Sequence, residues 1–84
     1  MILDFAEIRD EAALHDALAR GLSLPAHYGR NLDALWDCLT RDVQGPVRIE
    51  LRNSARADLR LQRYIDLLHK AAGRRDDLRL VVKL

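Results

Sequence analysis

Three short apolar runs limit what this chain can fold into. Met1–Phe5, Val47–Leu51 and the stretch through Leu78, Leu80, Val81, Val82 and Leu84 each have the length of a strand. Val47–Leu51 alternates apolar and polar residues directly behind Pro46, a place where a strand can begin. About 41 residues (6–46) separate the first run from the second, and about 26 (52–77) the second from the third. Spacers of that length with helical periodicity imply parallel strands joined by right-handed crossovers. The first spacer has room for two helices and the second for one, so the expected class is α/β.

The spacers carry that periodicity. Ala13, Leu14, Ala17 and Leu18 follow helical spacing behind Asp10, an N-cap candidate, and Gly21 is placed to end the helix in the left-handed conformation. Leu22–Arg30, with Pro25 and Gly29, predicts a loop containing at most one helical turn. Asn31 is placed to cap a second helix in which Leu32, Leu35, Trp36 and Leu39 share one face. That helix is expected to stop near Arg41 or Asp42, ahead of Gly45-Pro46. Asn53 or Ser54 would open a third, with Leu61, Tyr64, Ile65, Leu68 and Ala72 on its apolar face and Gly73 at its end.

Eighty-four residues bound the chain to one domain, 1–84. At 49% hydrophobic and 32% charged it has the balance of a folded domain, not a disordered tail. No apolar run approaches the ~20 residues of a membrane span. Met-Ile-Leu-Asp-Phe-Ala-Glu at the start lacks the basic region and long apolar stretch of a secretion signal. A secreted domain of this size usually carries several disulfides, and this one has only Cys38, so a reducing, cytoplasmic setting is expected. Cys38 itself reads as a small buried hydrophobe.

Charge is split along the chain. Residues 1–47 hold four basic and eight acidic side chains (4 − 8 = −4), whereas residues 48–84 hold ten and five (10 − 5 = +5). Two surfaces of different potential would steer different partners. A basic C-terminal half bearing Arg52, Arg56, Arg60 and Arg63 raises nucleic-acid binding, but few aromatics are available for stacking on bases.

Asp33 and Asp37 are the candidates for chemistry. Four residues apart on one helix, they lie side by side, off the Leu/Trp face. The bland reading pairs Asp37 with Arg41 and Asp33 with Arg30 as surface ion pairs. His27 with the two aspartates is a sparse possibility for a divalent metal. No Ser-His-Asp or Cys-His spacing, phosphate-cradling glycine loop or HExxH pair is present, so no catalytic residue and no cofactor is expected. Trp36 falls at the edge of the apolar face, and His15 and His69 sit among polar neighbours and read as solvated.

The run His27-Tyr28-Gly29-Arg30-Asn31-Leu32-Asp33-Ala34-Leu35-Trp36-Asp37-Cys38-Leu39-Thr40 resembles the signature of the barstar family of ribonuclease inhibitors, with Leu22-Ser23-Leu24-Pro25 fitting ahead of it. The resemblance implies a barstar-like three-stranded parallel sheet packed with about three or four helices. It implies a cytoplasmic, antitoxin-like inhibitor, not an enzyme, that binds a basic microbial ribonuclease and is monomeric when free. Direct contact with nucleic acid or membrane is not implied. Asp37 would occupy the enzyme's phosphate site and Asp33 would pair with basic groups at its rim. Gly29, Asn31, Trp36 and Thr40 would add close backbone approach, hydrogen bonds and packing, with His27, Tyr28 and Asp42 completing the face. The chain departs from the pattern at His27 and Asp42, where the family's prototype has aromatic residues. It departs again at Leu68-His69-Lys70, where the prototype has an acidic side chain. A module of the same fold binding a non-nuclease partner is the alternative.

Overall fold

Val47–Arg52 forms the central strand of a three-stranded sheet, with a parallel neighbour on each side. The computed structural model describes residues 1–83. In chain order it comprises β1 (Ile2–Asp4), α1 (Glu11–Gly21), α2 (Leu32–Asp37), a π-helical turn (Cys38–Asp42), β2 (Val47–Arg52), a 3-10 turn (Ser54–Arg56), α3 (Leu59–Arg74) and β3 (Leu78–Lys83). The register sets Leu3 beside Leu51 and Ile49 beside Leu80. With a side-chain period of two, Leu3, Ile49 and Leu51 therefore share a face, and all three are fully buried. Leu14 and Leu18 of α1, Leu35 of α2, Leu39 of the π-helical turn, and Leu61 and Leu68 of α3 complete that core.

On the sheet's other face Glu50 stands between Arg48, at 3.5 Å, and Arg52, which bonds it more closely. The Arg52 hydrogen bond holds the Glu50 carboxyl below its ordinary range, against the cost of burial beneath the two arginine stems.

Asp10 caps α1 as expected, accepting from the Ala13 amide at 2.8 Å. Gly21 does not take the left-handed conformation; the helix runs through it and Leu22, at φ −103°, is the cap. Its lack of a side chain serves Met1 instead, whose methyl group would lie 2.7 Å from a Cβ at that position. In Leu22–Arg30 the expected helical turn is a single tight turn, closed by the Tyr28 amide on the Pro25 carbonyl at 2.9 Å.

The third helix starts later than the spacing suggested. Asn53 adopts φ 55° and its side chain donates to Asp4 Oδ1 at 2.8 Å, tying the ends of β1 and β2 together. So engaged, it cannot cap a helix. Asp58 does, accepting from the Leu61 amide at 2.9 Å. Nor does Gly73 end α3, which continues to Arg74 and stops at the extended residue Arg75.

Arg75 explains that stop. Its Nη1 donates to the carbonyls of Leu39 (2.7 Å) and Val43 (2.9 Å), and Nε and Nη2 donate to the Asp77 carboxylate at 2.8 and 2.9 Å. One guanidinium thus fastens the far end of the α2 segment to the start of β3. A side chain on Gly45 would collide with Asp77.

Candidate protein-binding face

Asn31 holds the start of α2 by capping. Its Oδ1 accepts from the Ala34 amide at 2.7 Å and its Nδ2 donates to the Gly29 carbonyl at 3.3 Å. Arg30, left-handed at φ 55°, turns the chain into the cap, and Gly29 lets it pass close to Ala34, whose methyl would lie 3.1 Å from an added Cβ. We expect Asn31→Ala to cost about 1 kcal/mol in urea unfolding, the usual loss of a side-chain cap.

Leu35, Cys38 and Leu39 turn into the core, Trp36 is half-buried, and Asp33 and Asp37 are exposed. The arginine partners expected for those aspartates are absent. Arg30 pairs instead with Asp16 of α1 at 3.0 Å and donates to the Ala12 carbonyl. Arg41, carried on the π-helical turn that follows Asp37, makes no ion pair among the described residues. Asp33 and Asp37 are likewise without a cation within 4 Å among those residues. The metal reading of His27 with Asp33 and Asp37 also fails on geometry: among the described residues no three His, Cys, Asp or Glu side chains gather to hold an ion.

The other members of the expected site divide by position. His27, Gly29 and Asp42 are exposed. The Thr40 hydroxyl donates to the Trp36 carbonyl at 2.8 Å, so it serves the helix in the free protein. The Trp36 ring carries the Arg74 guanidinium 5.9 Å from its centre. Cys38 is buried, and burial followed by the neighbouring Asp42 pushes its thiol up, the opposite of a reactive cysteine.

Tyr28 points inward, away from the face. Its hydroxyl lies 2.7 Å from His15 Nδ1, and His15 Nε2 lies 3.2 Å from the Tyr64 hydroxyl, which donates to Glu11 Oε2 at 3.2 Å. Since the Tyr64 proton is committed to Glu11, Nε2–H must donate to Tyr64 and Nδ1 accept from Tyr28. Burial pushes the Tyr28 hydroxyl far above its ordinary range, so it remains a donor. His15, expected to be solvated, is 3% exposed and neutral. Its polar neighbours in sequence, Asp16 among them, gave no sign that two tyrosines from distant segments would satisfy both ring nitrogens.

Burial, then Arg30, lowers the His15 pKa from its ordinary 6.5; Glu11 and Asp16 act the other way but do not prevail. The unfolded chain therefore binds a proton near pH 6.5 that the folded chain refuses, and stability falls as pH drops through that value. Asp4 and Asp77 are held low by hydrogen bonds from Asn53 and Arg75, and Glu50 by Arg52, so their losses begin only below their ordinary values of 3.8–4.5. Between pH 7.5 and 5.5 the urea midpoint should fall, and His15→Gln should flatten that slope. An unchanged slope in the variant would place the effect elsewhere.

The chain matches the family model described as Barstar (barnase inhibitor) over residues 1–83. A Bacillus subtilis (strain 168) protein named "Putative ribonuclease inhibitor YrdF" is 42% identical over 66 residues, 79% of this chain and 72% of that protein. With the three-stranded parallel sheet and three helices already in place and the match reaching almost end to end, this chain belongs to the barstar family of barnase inhibitors.

Proposed function

We propose that the chain inhibits a microbial ribonuclease by setting Asp37 in the enzyme's active site, where its carboxylate takes the place of a substrate phosphate. The observation that carries this reading is a pair of exposed carboxylates on a capped helix with no cation within 4 Å among the described residues. Like charges at this spacing disfavour the free helix by about 0.2–0.5 kcal/mol, and a cationic cleft relieves that cost. Carboxylate and phosphate oxygens accept from the same Arg, Lys and His⁺ donors, with bidentate geometry at Arg. The Asn31 cap and the Arg75 fastening hold both ends of the segment before binding, so little ordering entropy is lost.

Asp33 meets basic groups at the rim. His27, Gly29 and Asp42 border it, Trp36 and Thr40 supply packing from the half-buried side, and Tyr28 and Asn31 hold the loop in shape. Inhibition involves no catalysis and no cofactor. The inhibitor acts as an antitoxin-like monomer in the cytoplasm, meeting the enzyme without touching RNA or membrane. A single buried Cys38 suits a reducing compartment, and no described helix is long and apolar enough to cross a membrane.

The test is an inhibition titration against the ribonuclease encoded nearest to this chain, with wild type and Asp37→Ala side by side. Stoichiometric inhibition that the substitution abolishes supports the proposal; equal potency of the two overturns it. Tight binding by the same face to a protein without nuclease activity would favour the interaction-module alternative.

A further inference from the structure

The carboxylate face has a border of opposite charge that the proposed function does not use. Arg63 of α3 lines a groove of about 340 Å³ together with Asn31, Leu32 and Asp33 at the start of α2. Eleven residues further along α3, Arg74 stands over Trp36. These two points show that one stripe of α3 runs beside the Leu32–Trp36 edge of α2, next to the exposed Asp33. Helical spacing puts Leu67 and Lys70 on the same stripe, four and seven residues after Arg63. Leu67 packs against the core, while Arg63, Lys70 and Arg74 are exposed and make no ion pair among the described residues. Asp66 is the one acid flanking the three cations on α3, and Glu11, which also lines the groove, is paired with Arg60 at 3.3 Å.

Arg63 therefore borders Asp33 and Arg74 borders Trp36, the residue before Asp37, with Lys70 between them along α3, and none of the three pairs with Asp33 or Asp37 among the described residues. A target whose whole surface around the cleft is basic would gain at the carboxylates and lose along α3. We propose that Arg63, Lys70 and Arg74 select the target: a ribonuclease whose basic cleft is bordered, on the side facing α3, by acidic side chains. The inference rests on the inhibitor reading above and adds the partner's second charge. Opposed potentials across an interface suppress wrong partners, because like charges set against each other are strongly unfavourable.

Barnase, a strongly basic ribonuclease, is the probe. Arg63→Glu/Lys70→Glu should inhibit it at least about tenfold more strongly than Arg9→Glu/Arg79→Glu, a control with the same change in net charge placed on residues outside this border. Equal gains in the two variants would reduce the effect to general steering and overturn the proposal, as would no gain in either. Circular dichroism of both variants checks that they fold. Adding Asp37→Ala to the first variant separates the two readings. Loss of inhibition there upholds the carboxylate mechanism, whereas a retained gain would overturn that mechanism and leave the α3 border as the determinant.

Discussion

Asp37→Ala is expected to weaken inhibition of the target ribonuclease by about 3–5 kcal/mol, roughly two to four powers of ten in the inhibition constant. That is the usual cost of truncating one partner of a buried, hydrogen-bonded charge pair, most of it the penalty of leaving the enzyme's cations desolvated and unmatched. Folding should scarcely respond, within about 0.5 kcal/mol in urea, because Asp37 is exposed and has no ion pair among the described residues to lose. The contrast is diagnostic: a structural aspartate would show the reverse, a loss of stability with little change in inhibition. Asp33→Ala, nearer the rim, should cost about 1 kcal/mol, mainly through slower association that high salt conceals.

Arg75→Ala is expected to cost about 2–3 kcal/mol of stability, the range for removing hydrogen bonds from a charged donor. It releases the carbonyls of Leu39 and Val43 and leaves Asp77 without its partner. Arg75→Lys should rescue little, since an ammonium cannot span two carbonyls and a carboxylate at once. The same contacts fasten the end of the carboxylate-bearing segment, so inhibition should weaken along with stability. A midpoint within 0.5 M of wild type in urea for Arg75→Ala would show that the π-helical turn is held by packing alone.

These two residues mark the boundary between what could be read along the chain and what could not. The inhibitory role proposed for Asp37 comes from the family resemblance. Its placing beside Asp33 was legible because it depends on local geometry: a cap at Asn31, apolar residues at 32, 35, 36 and 39, and an acid four residues from another. Asp10 was recognised as a cap for the same reason, and the strands and their parallel pairing followed from run lengths and spacer lengths. Arg75 carries no such local mark; its partners lie 32 and 36 residues away. Neither Gly21 nor Gly73 takes the helix-ending role that its place in the sequence suggests. The αL ending is only the commonest use of glycine, and here Gly21 makes room for Met1 while Arg75, just past α3, is held by the Leu39 and Val43 carbonyls. The ion pair expected of Asp33 failed because Arg30 found Asp16 on another helix, and that of Asp37 because Arg41 is carried on the π-helical turn.

Hydrophobic periodicity and spacer length, both properties of neighbours along the chain, sufficed to establish the α/β class, the order of strands and helices, and the placing of two acids on one exposed helical face. Tertiary structure alone decided that those acids have no cation within 4 Å among the described residues, that His15 is buried between two tyrosines, that Arg75 fastens the end of the α2 segment and that Arg63 and Arg74 of α3 come to lie beside α2. Each of these joins residues distant in sequence, and which distant groups meet is settled only when the core closes, as buried polar atoms must find partners within reach.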